Sequence, residues 1–223
     1  PTGNFGNILA AYYAKGMGLP VKTFICASNA NKVLTDFINT GTYDKNRAFH
    51  TTISPSMDIL ISSNLERLLY ALSGEDDKQI ADWFGQLKSQ GTYTVSEDVK
   101  QKLQAEFVGG YCDDCATKAT IKAVFDKYSY LCDTHTAVAV KVYEDYKKKT
   151  GDTTKALIAS TASPYKFTGA VLEALCGEVP QMDDFAQVQK LHELSGLPIP
   201  TALAEVKNKS VRFAGCIEAG QMP

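Results

Sequence analysis

The chain is predicted to be α/β: an open, mostly parallel sheet flanked by helices, with an additional helical lobe. Three observations predict this class. Short runs of β-forming residues alternate with longer stretches of helical period, the pattern of strands joined by helical crossovers. Hydrophobic residues make up 44% of the 223 positions and charged residues 22%, the balance of a globular protein with a sizeable core. Between Ser63 and Glu106 one helical period follows another, which sets a helical lobe apart from the sheet. Residues 1–223 are read as one α/β domain, with 63–106 an inserted or peripheral helical segment.

The elements follow in order. A helix over 8–15 has apolar Ile8, Leu9 and Tyr12 on one face and stops at Gly16 and Gly18. Residues 21–27 are rich in β-formers and bounded by Pro20 and Ser28-Asn29, which predicts a buried strand. A short helix over 31–40 ends near Gly41, and 48–53 predict a second strand leading into Ser54-Pro55-Ser56-Met57-Asp58. In the lobe, Leu65, Leu68, Leu69 and Leu72 recur at helical spacing, as do Ile80, Ala81, Phe84 and Leu87. Ser96-Glu97-Asp98 opens a third helix over 99–106, and 107–111 carry a weak strand pattern. Helices are predicted over 116–128 and 136–150, then a strand over 155–160 running into Thr161-Ala162-Ser163-Pro164. Two more helices follow, over 166–176 and 184–195, and 211–217 read as a last strand. Strands 21–27, 48–53 and 155–160 are expected to be parallel neighbours in one sheet.

Lys and Arg number 23 against 25 Asp and Glu, a formal charge of −2. No basic surplus points to nucleic acid, and no long like-charge run points to a tail. Lys147-Lys148-Lys149 closes a predicted helix, where cations suit the negative end of the macrodipole. No apolar stretch approaches the roughly 18 residues of a membrane span, and no basic-then-apolar leader opens the chain. A cytoplasmic location is expected, with Cys26, Cys112, Cys115, Cys132, Cys176 and Cys216 as thiols. Pro1-Thr2-Gly3 opens on a loop already heading into a helix, and Glu218-Ala219-Gly220-Gln221 approaches a helix that does not follow. The sequence is therefore expected to be an internal piece of a longer polypeptide.

In open parallel sheets, ligands gather at the carboxyl ends of strands, where loops lead into helix N-termini. Three loops have that position, at 3–7, 28–31 and 160–164. Gly3-Asn4-Phe5-Gly6-Asn7 is the most informative. Two glycines let backbone amides approach a ligand, the helix points its positive end the same way, and Asn4 and Asn7 add donors without charge. This combination serves either as a plain helix cap or as a phosphate cradle.

The 1–7 segment resembles the phosphate-binding loop of threonine synthases, enzymes that use pyridoxal 5′-phosphate (PLP) and share the tryptophan-synthase-like fold. The resemblance continues through Ala27-Ser28-Asn29-Ala30-Asn31, Leu34-Thr35-Asp36-Phe37, Ser54-Pro55-Ser56-Met57-Asp58-Ile59 and Ser62-Ser63-Asn64-Leu65-Glu66-Arg67-Leu68-Leu69. It carries on at Asp133-Thr134-His135-Thr136-Ala137-Val138 and ends at Ser160-Thr161-Ala162-Ser163-Pro164-Tyr165-Lys166-Phe167. The blocks come in family order and span most of the chain. The resemblance implies part of the large domain of a PLP enzyme of fold type II. It places the phosphate on Gly3, Asn4, Phe5, Gly6 and Asn7, and a hydroxyl facing the pyridine nitrogen on Thr161. The bare-residue alternative makes Thr161 a helix cap. The chain departs from the familiar motifs at Ser163, where His is usual, and at Thr134, where Pro is usual.

The implied reaction converts O-phospho-L-homoserine and water to L-threonine and phosphate. Asn29, Asn31, Ser54, Ser56, Asp58 and His135 are candidates to line the substrate pocket. Against that stand a turn around Pro55, an Asx-rich helix start and a hydrogen-bonded histidine. In the family, the lysine that carries the cofactor as a Schiff base lies upstream of the phosphate loop, and no lysine here matches its motif. No catalytic residue is therefore assigned, and the chain by itself is expected to be inactive. Two alternatives stay open. One is another PLP enzyme of the same fold, such as a dehydratase or a cysteine synthase. The other is a non-catalytic module binding zinc through Cys112, Cys115, Cys132 and His135, whose spacing falls within the four-ligand pattern. No metal is expected, because the family is not one of zinc proteins and His135 belongs to a family block regardless of metal.

Overall fold

The computed structural model describes residues 1–179 and 181–222. The chain runs α1 (Gly6–Gly16), β1 (Phe24–Ser28), α2 (Val33–Thr40), β2 (Thr42–Asp44), α3 (Leu65–Leu72), α4 (Asp77–Gln90), β3 (Thr92–Thr94) and α5 (Glu97–Glu106). It continues with β4 (Phe107–Tyr111), α6 (Asp114–Tyr128), α7 (Thr134–Thr150), α8 (Thr168–Cys176), α9 (Asp184–Ser195) and α10 (Thr201–Val206). Short 3-10 turns cover Pro55–Met57, Pro164–Phe167 and Ala219–Gln221.

The helices are written plainly into the local sequence. Asp76, Asp113, Asp133 and Asp183 each precede a helix and accept first-turn amides with their carboxylates. Gly41, Gly91, Gly151, Gly177 and Gly196 end helices in the left-handed conformation that glycine adopts without steric cost.

β1 and β4 pair in parallel, Phe24 opposite Phe107 and Ala27 opposite Gly110. β2 and β3 form a separate antiparallel pair in which Tyr43 lies opposite Tyr93, their rings stacked 5.4 Å apart at 2°. One apolar core joins α1, α2, β1 and the lobe helices through Phe24, Phe37, Leu68, Leu69, Leu103 and Phe107. A second lies among α6, α7, α8 and α9, around Ile121, Ala137, Leu172 and Leu191. Residues 63–106 hold α3, α4 and α5, and between the last two lies β3, which pairs with β2.

Two glycines in β4 bring helices against both faces of the sheet. A Cβ at Gly109 would lie 2.9 Å from the Cα of Thr35 in α2, and one at Gly110 would lie 2.6 Å from Cγ1 of Val142 in α7. Gly109→Ala should therefore push backbone against backbone and destabilise the chain by about 1–3 kcal/mol. Urea unfolding measures this, and a variant matching the parent would show that α2 can retreat freely.

The three-strand expectation fails. Only 21–27 contributes a strand, β1, and its partner is the weakly patterned 107–111. Residues 48–53 are not a strand because their backbone groups are taken by side chains. Asn31 binds His50 on both sides, Nδ2 donating to its carbonyl at 2.8 Å and Oδ1 accepting its amide at 2.9 Å. Thr52 donates its amide to Asp58 at 2.9 Å, and Ile53 donates to Asp114 at 3.3 Å. Residues 155–160 are not a strand either. Among the described residues no backbone hydrogen bond reaches them, and Leu157 is 98% exposed. The 211–217 segment is likewise without strand structure and largely exposed. β2 and β3, which sequence did not anticipate, are each only three residues long.

Candidate cofactor-binding site

The 3–7 loop is held by its carbonyls. Ser62 donates its hydroxyl to the Gly3 carbonyl at 3.0 Å. Asn64 donates twice to the Asn4 carbonyl, from its backbone amide at 3.2 Å and from Nδ2 at 2.7 Å. In a trans peptide the carbonyl and the next amide point in opposite directions, so the amides of Asn4 and Phe5 face away from the 62–64 segment. Phe5 takes the left-handed conformation at φ 63°, ψ 8° and leads directly into α1. Among the described residues the amides of Asn4, Phe5, Gly6, Asn7 and Ile8 donate to no protein acceptor. Successive amides of a left-handed residue followed by a helical one form a concave nest that suits an anion, at the positive end of α1. The Phe5 ring is buried and packs 5.8 Å from Phe107. Gly3 must be glycine, because a Cβ there would come 2.7 Å from the Ser56 carbonyl.

The structure brings most of the other sequence-picked residues into two hydrogen-bonded knots. In the first, Asp58 accepts from Asn29 Nδ2 at 2.7 Å, Asn31 Nδ2 at 3.0 Å and the Thr52 hydroxyl at 2.7 Å. Ser54 joins through Asn29 at 3.0 Å. Burial and the neighbouring Asp58 carboxylate push the Asp114 carboxyl above its ordinary range, with the Ile53 amide pulling the other way. In the second knot, Asp133 caps α7 by accepting the amides of His135 at 2.8 Å and Thr136 at 3.2 Å. It also takes the Thr136 hydroxyl and lies 3.2 Å from His135 Nδ1. His135 Nε2 accepts the Ser56 amide at 3.2 Å, so both ring nitrogens are occupied by protein. Of the six pocket candidates, Ser56 alone keeps an exposed side chain with no hydrogen bond among the described residues.

Thr161 is exposed and its hydroxyl bonds to no described residue. The hydroxyl of its neighbour Ser160 lies 3.1 Å from that of Thr136, at the start of α7. The capping role weighed for Thr161 falls to Ser163, which accepts the Tyr165 amide at 3.2 Å. A cleft of about 460 Å³ lies beside β1, lined by Thr2, Asn7, Ile8 and Ala11 on one side and residues 154–159 on the other. Cys26, within β1, is fully buried, and burial pushes its thiol up to about 11. Among the described residues no three His, Cys, Asp or Glu side chains are grouped to hold a metal ion. No described helix is long and apolar enough to cross a membrane.

Sequence reasoning gave Ser62 and Asn64 no role. One signal was present: Asn64 stands where an N-cap belongs, before α3, yet its side chain makes no capping bond and goes to the loop instead.

A parallel sheet edge with an amide nest leading into a helix matches, as a partial domain, the fold of PLP enzymes of fold type II. The crystal structure of the yeast threonine synthase superposes with a TM-score of 0.82 at 33% identity, covering 94% of this chain and 42% of that one. The PLP-bound threonine synthase of Brucella melitensis superposes with a TM-score of 0.75 at 40% identity, covering 88% and 40%. The family profile "Threonine synthase, C-terminal" matches residues 136–213. The human "Threonine synthase-like 1" is 43% identical over 199 residues, 89% of this chain and 26% of that protein. The threonine synthase of Saccharomyces cerevisiae is 39% identical over 79% of this chain and 37% of its own length. Over most of its length the chain is threonine synthase-like in sequence and fold. It spans about a quarter of the length of the threonine synthase-like relatives.

Proposed function

We propose that this chain supplies the phosphate cradle and the ring-nitrogen contact of a PLP site, within a longer protein that forms L-threonine and phosphate from O-phospho-L-homoserine and water. The observation that carries the reading is the nest of five amides at residues 4–8 that find no acceptor among the described residues, on a loop that resembles the family's phosphate loop. The residues suit the group. A phosphate needs several donors in a concave site, and this nest provides them without a cation, so the cradle is selective by shape as well as charge. When bound, PLP supplies an electron-accepting ring that stabilises negative charge developing on the substrate.

The chain's own groups bind and orient. The Gly6 and Asn7 amides take phosphate oxygens. The Thr161 hydroxyl would donate a hydrogen bond to the ring nitrogen while keeping its proton, so that the nitrogen stays unprotonated and the ring's acceptor strength is tempered. Ser56 presents a free hydroxyl to the pocket, while Asn29, Asn31, Ser54, Asp58 and His135 hold the walls through the bonds already described. Catalytic proton transfer belongs to a lysine outside this sequence, so the chain alone does not turn over. A cytoplasmic setting is part of the same proposal.

The test compares ligands that differ only in phosphate. The 223-residue chain should bind pyridoxal 5′-phosphate at least about tenfold more tightly than pyridoxal, the worth of one or two charge-assisted hydrogen bonds. Inorganic phosphate should shift the Gly6 and Asn7 amide resonances. Equal affinity for the two ligands, with those resonances unmoved, would sink the reading.

A further inference from the structure

We infer that Asn64, oriented by Arg67, is the positioning residue that holds the phosphate cradle open. The inference rests on the cradle reading above and assigns a role to two residues outside the loop. A five-residue loop with a phenylalanine in left-handed backbone is not a conformation the chain adopts unaided, since such a residue is disfavoured by roughly 1–2 kcal/mol. Something must hold it, and the contacts name the holder. The Asn4 carbonyl receives both donors of one residue, the backbone amide and Nδ2 of Asn64. The peptide between Asn4 and Phe5 is thereby fixed with its amide facing the cradle.

The side chain is diverted to this task. An asparagine before a helix ordinarily accepts a first-turn amide through Oδ1, and α3 is left without that cap. Arg67, one turn into α3, donates its guanidinium to Asn64 Oδ1 instead. Arginine can only donate, so it selects the rotamer in which the oxygen faces Arg67 and Nδ2 faces Asn4. The amide also lies against the loop's second glycine, where a Cβ on Gly6 would be 3.7 Å from Nδ2. Arg67 is thus wired to the loop through Asn64.

Neither residue is part of a core. Asn64 is half-buried and Arg67 exposed, so their removal should leave the fold standing. The experiment titrates inorganic phosphate into the 223-residue chain, follows the Gly6 and Asn7 amides by NMR, and records urea unfolding of each variant. Asn64→Ala should weaken phosphate binding about tenfold, and Asn64→Asp by at least as much, because a carboxylate would face the Asn4 carbonyl. Arg67→Gln should weaken it about threefold in the parent and have no further effect in the Asn64→Ala background, since coupling through one residue is non-additive. Unfolding midpoints should stay close to that of the parent.

Phosphate bound equally well by Asn64→Ala and the parent would overturn the inference. So would a loss of binding accompanied by a loss of overall stability, which would make the contact merely structural. An additive Arg67→Gln effect in the double variant would overturn the relay, leaving Arg67 as a nearby charge. A parent chain that binds no phosphate would instead overturn the cradle reading itself.

Discussion

Replacing Asp133 with alanine is expected to cost about 3 kcal/mol, more than the loss of an ordinary helix cap. The carboxylate is 1% exposed and serves the His135 and Thr136 amides, the Thr136 hydroxyl and the His135 ring together. Its removal leaves buried donors with neither protein nor water to receive them. Asp133→Asn, which keeps one oxygen, should lose about half as much. The acid dependence gives a second check. Burial disfavours the charged carboxylate, but the hydrogen bonds from His135 and Thr136 outweigh it and hold the group below its ordinary range. A depressed folded value means that this stability is fully present above the unfolded carboxyl value, near about 3.9. It is then lost as pH falls through the lower folded value. Below about pH 4 the parent should therefore lose stability more steeply than Asp133→Asn. Parallel acid limbs, or a cost under about 1 kcal/mol for Asp133→Ala, would show that water reaches the cap.

The second large effect is expected at Phe5. Its ring is 1% exposed and belongs to an aromatic stack in which Phe24 and Phe107 lie 5.1 Å apart. Phe5→Ala should cost about 3–5 kcal/mol by the usual measure of a deleted buried aromatic. Glycine is the sharper probe. Elsewhere glycine is less favourable than alanine, but at φ 63° it escapes the left-handed penalty. Phe5→Gly should therefore be more stable than Phe5→Ala by about 1 kcal/mol. Urea unfolding of the pair measures the difference, and the ordinary order, alanine above glycine, would show that the loop relaxes out of its bent form. Both variants should bind phosphate more weakly than the parent, because the ring anchors the bend from which the amides project.

These expectations draw on features that were unevenly visible in the sequence. Several helices could be read because they carry their own start and stop: Asp76, Asp133 and Asp183 at one end, Gly91, Gly151 and Gly196 at the other. The sheet could not, because a strand is made by its neighbour. Residues 155–160 have the composition of a strand and no ladder, while 107–111, diluted by two glycines, have the ladder. Residues 48–53 failed for a different reason, since Asn31 imitates a strand's backbone and satisfies His50 by itself. The 3–7 loop was legible from its residue types, but what holds it open was not. Asn64 lies some sixty positions away in sequence, and an asparagine ahead of a helix signals a cap rather than a brace. The knots around Asp58 and Asp133 explain why so many polar residues cluster in the family-like blocks. Most of them bind one another.

The glycines of β4 bear on how the site responds to force. Where a side chain separates a helix from a sheet, it can change rotamer and absorb a small displacement. At Gly109 the strand meets the α2 backbone with no such cushion, and at Gly110 only the stiff β-branched side chain of Val142 intervenes, while close-packed interiors are nearly incompressible. A push on α7 should therefore pass through the strand to α2 with little loss. The start of α7 carries Asp133 and His135, and the approach to α2 carries Asn29 and Asn31. The two knots that brace the pocket therefore move as one stiff body, with the strand as the rigid washer between them.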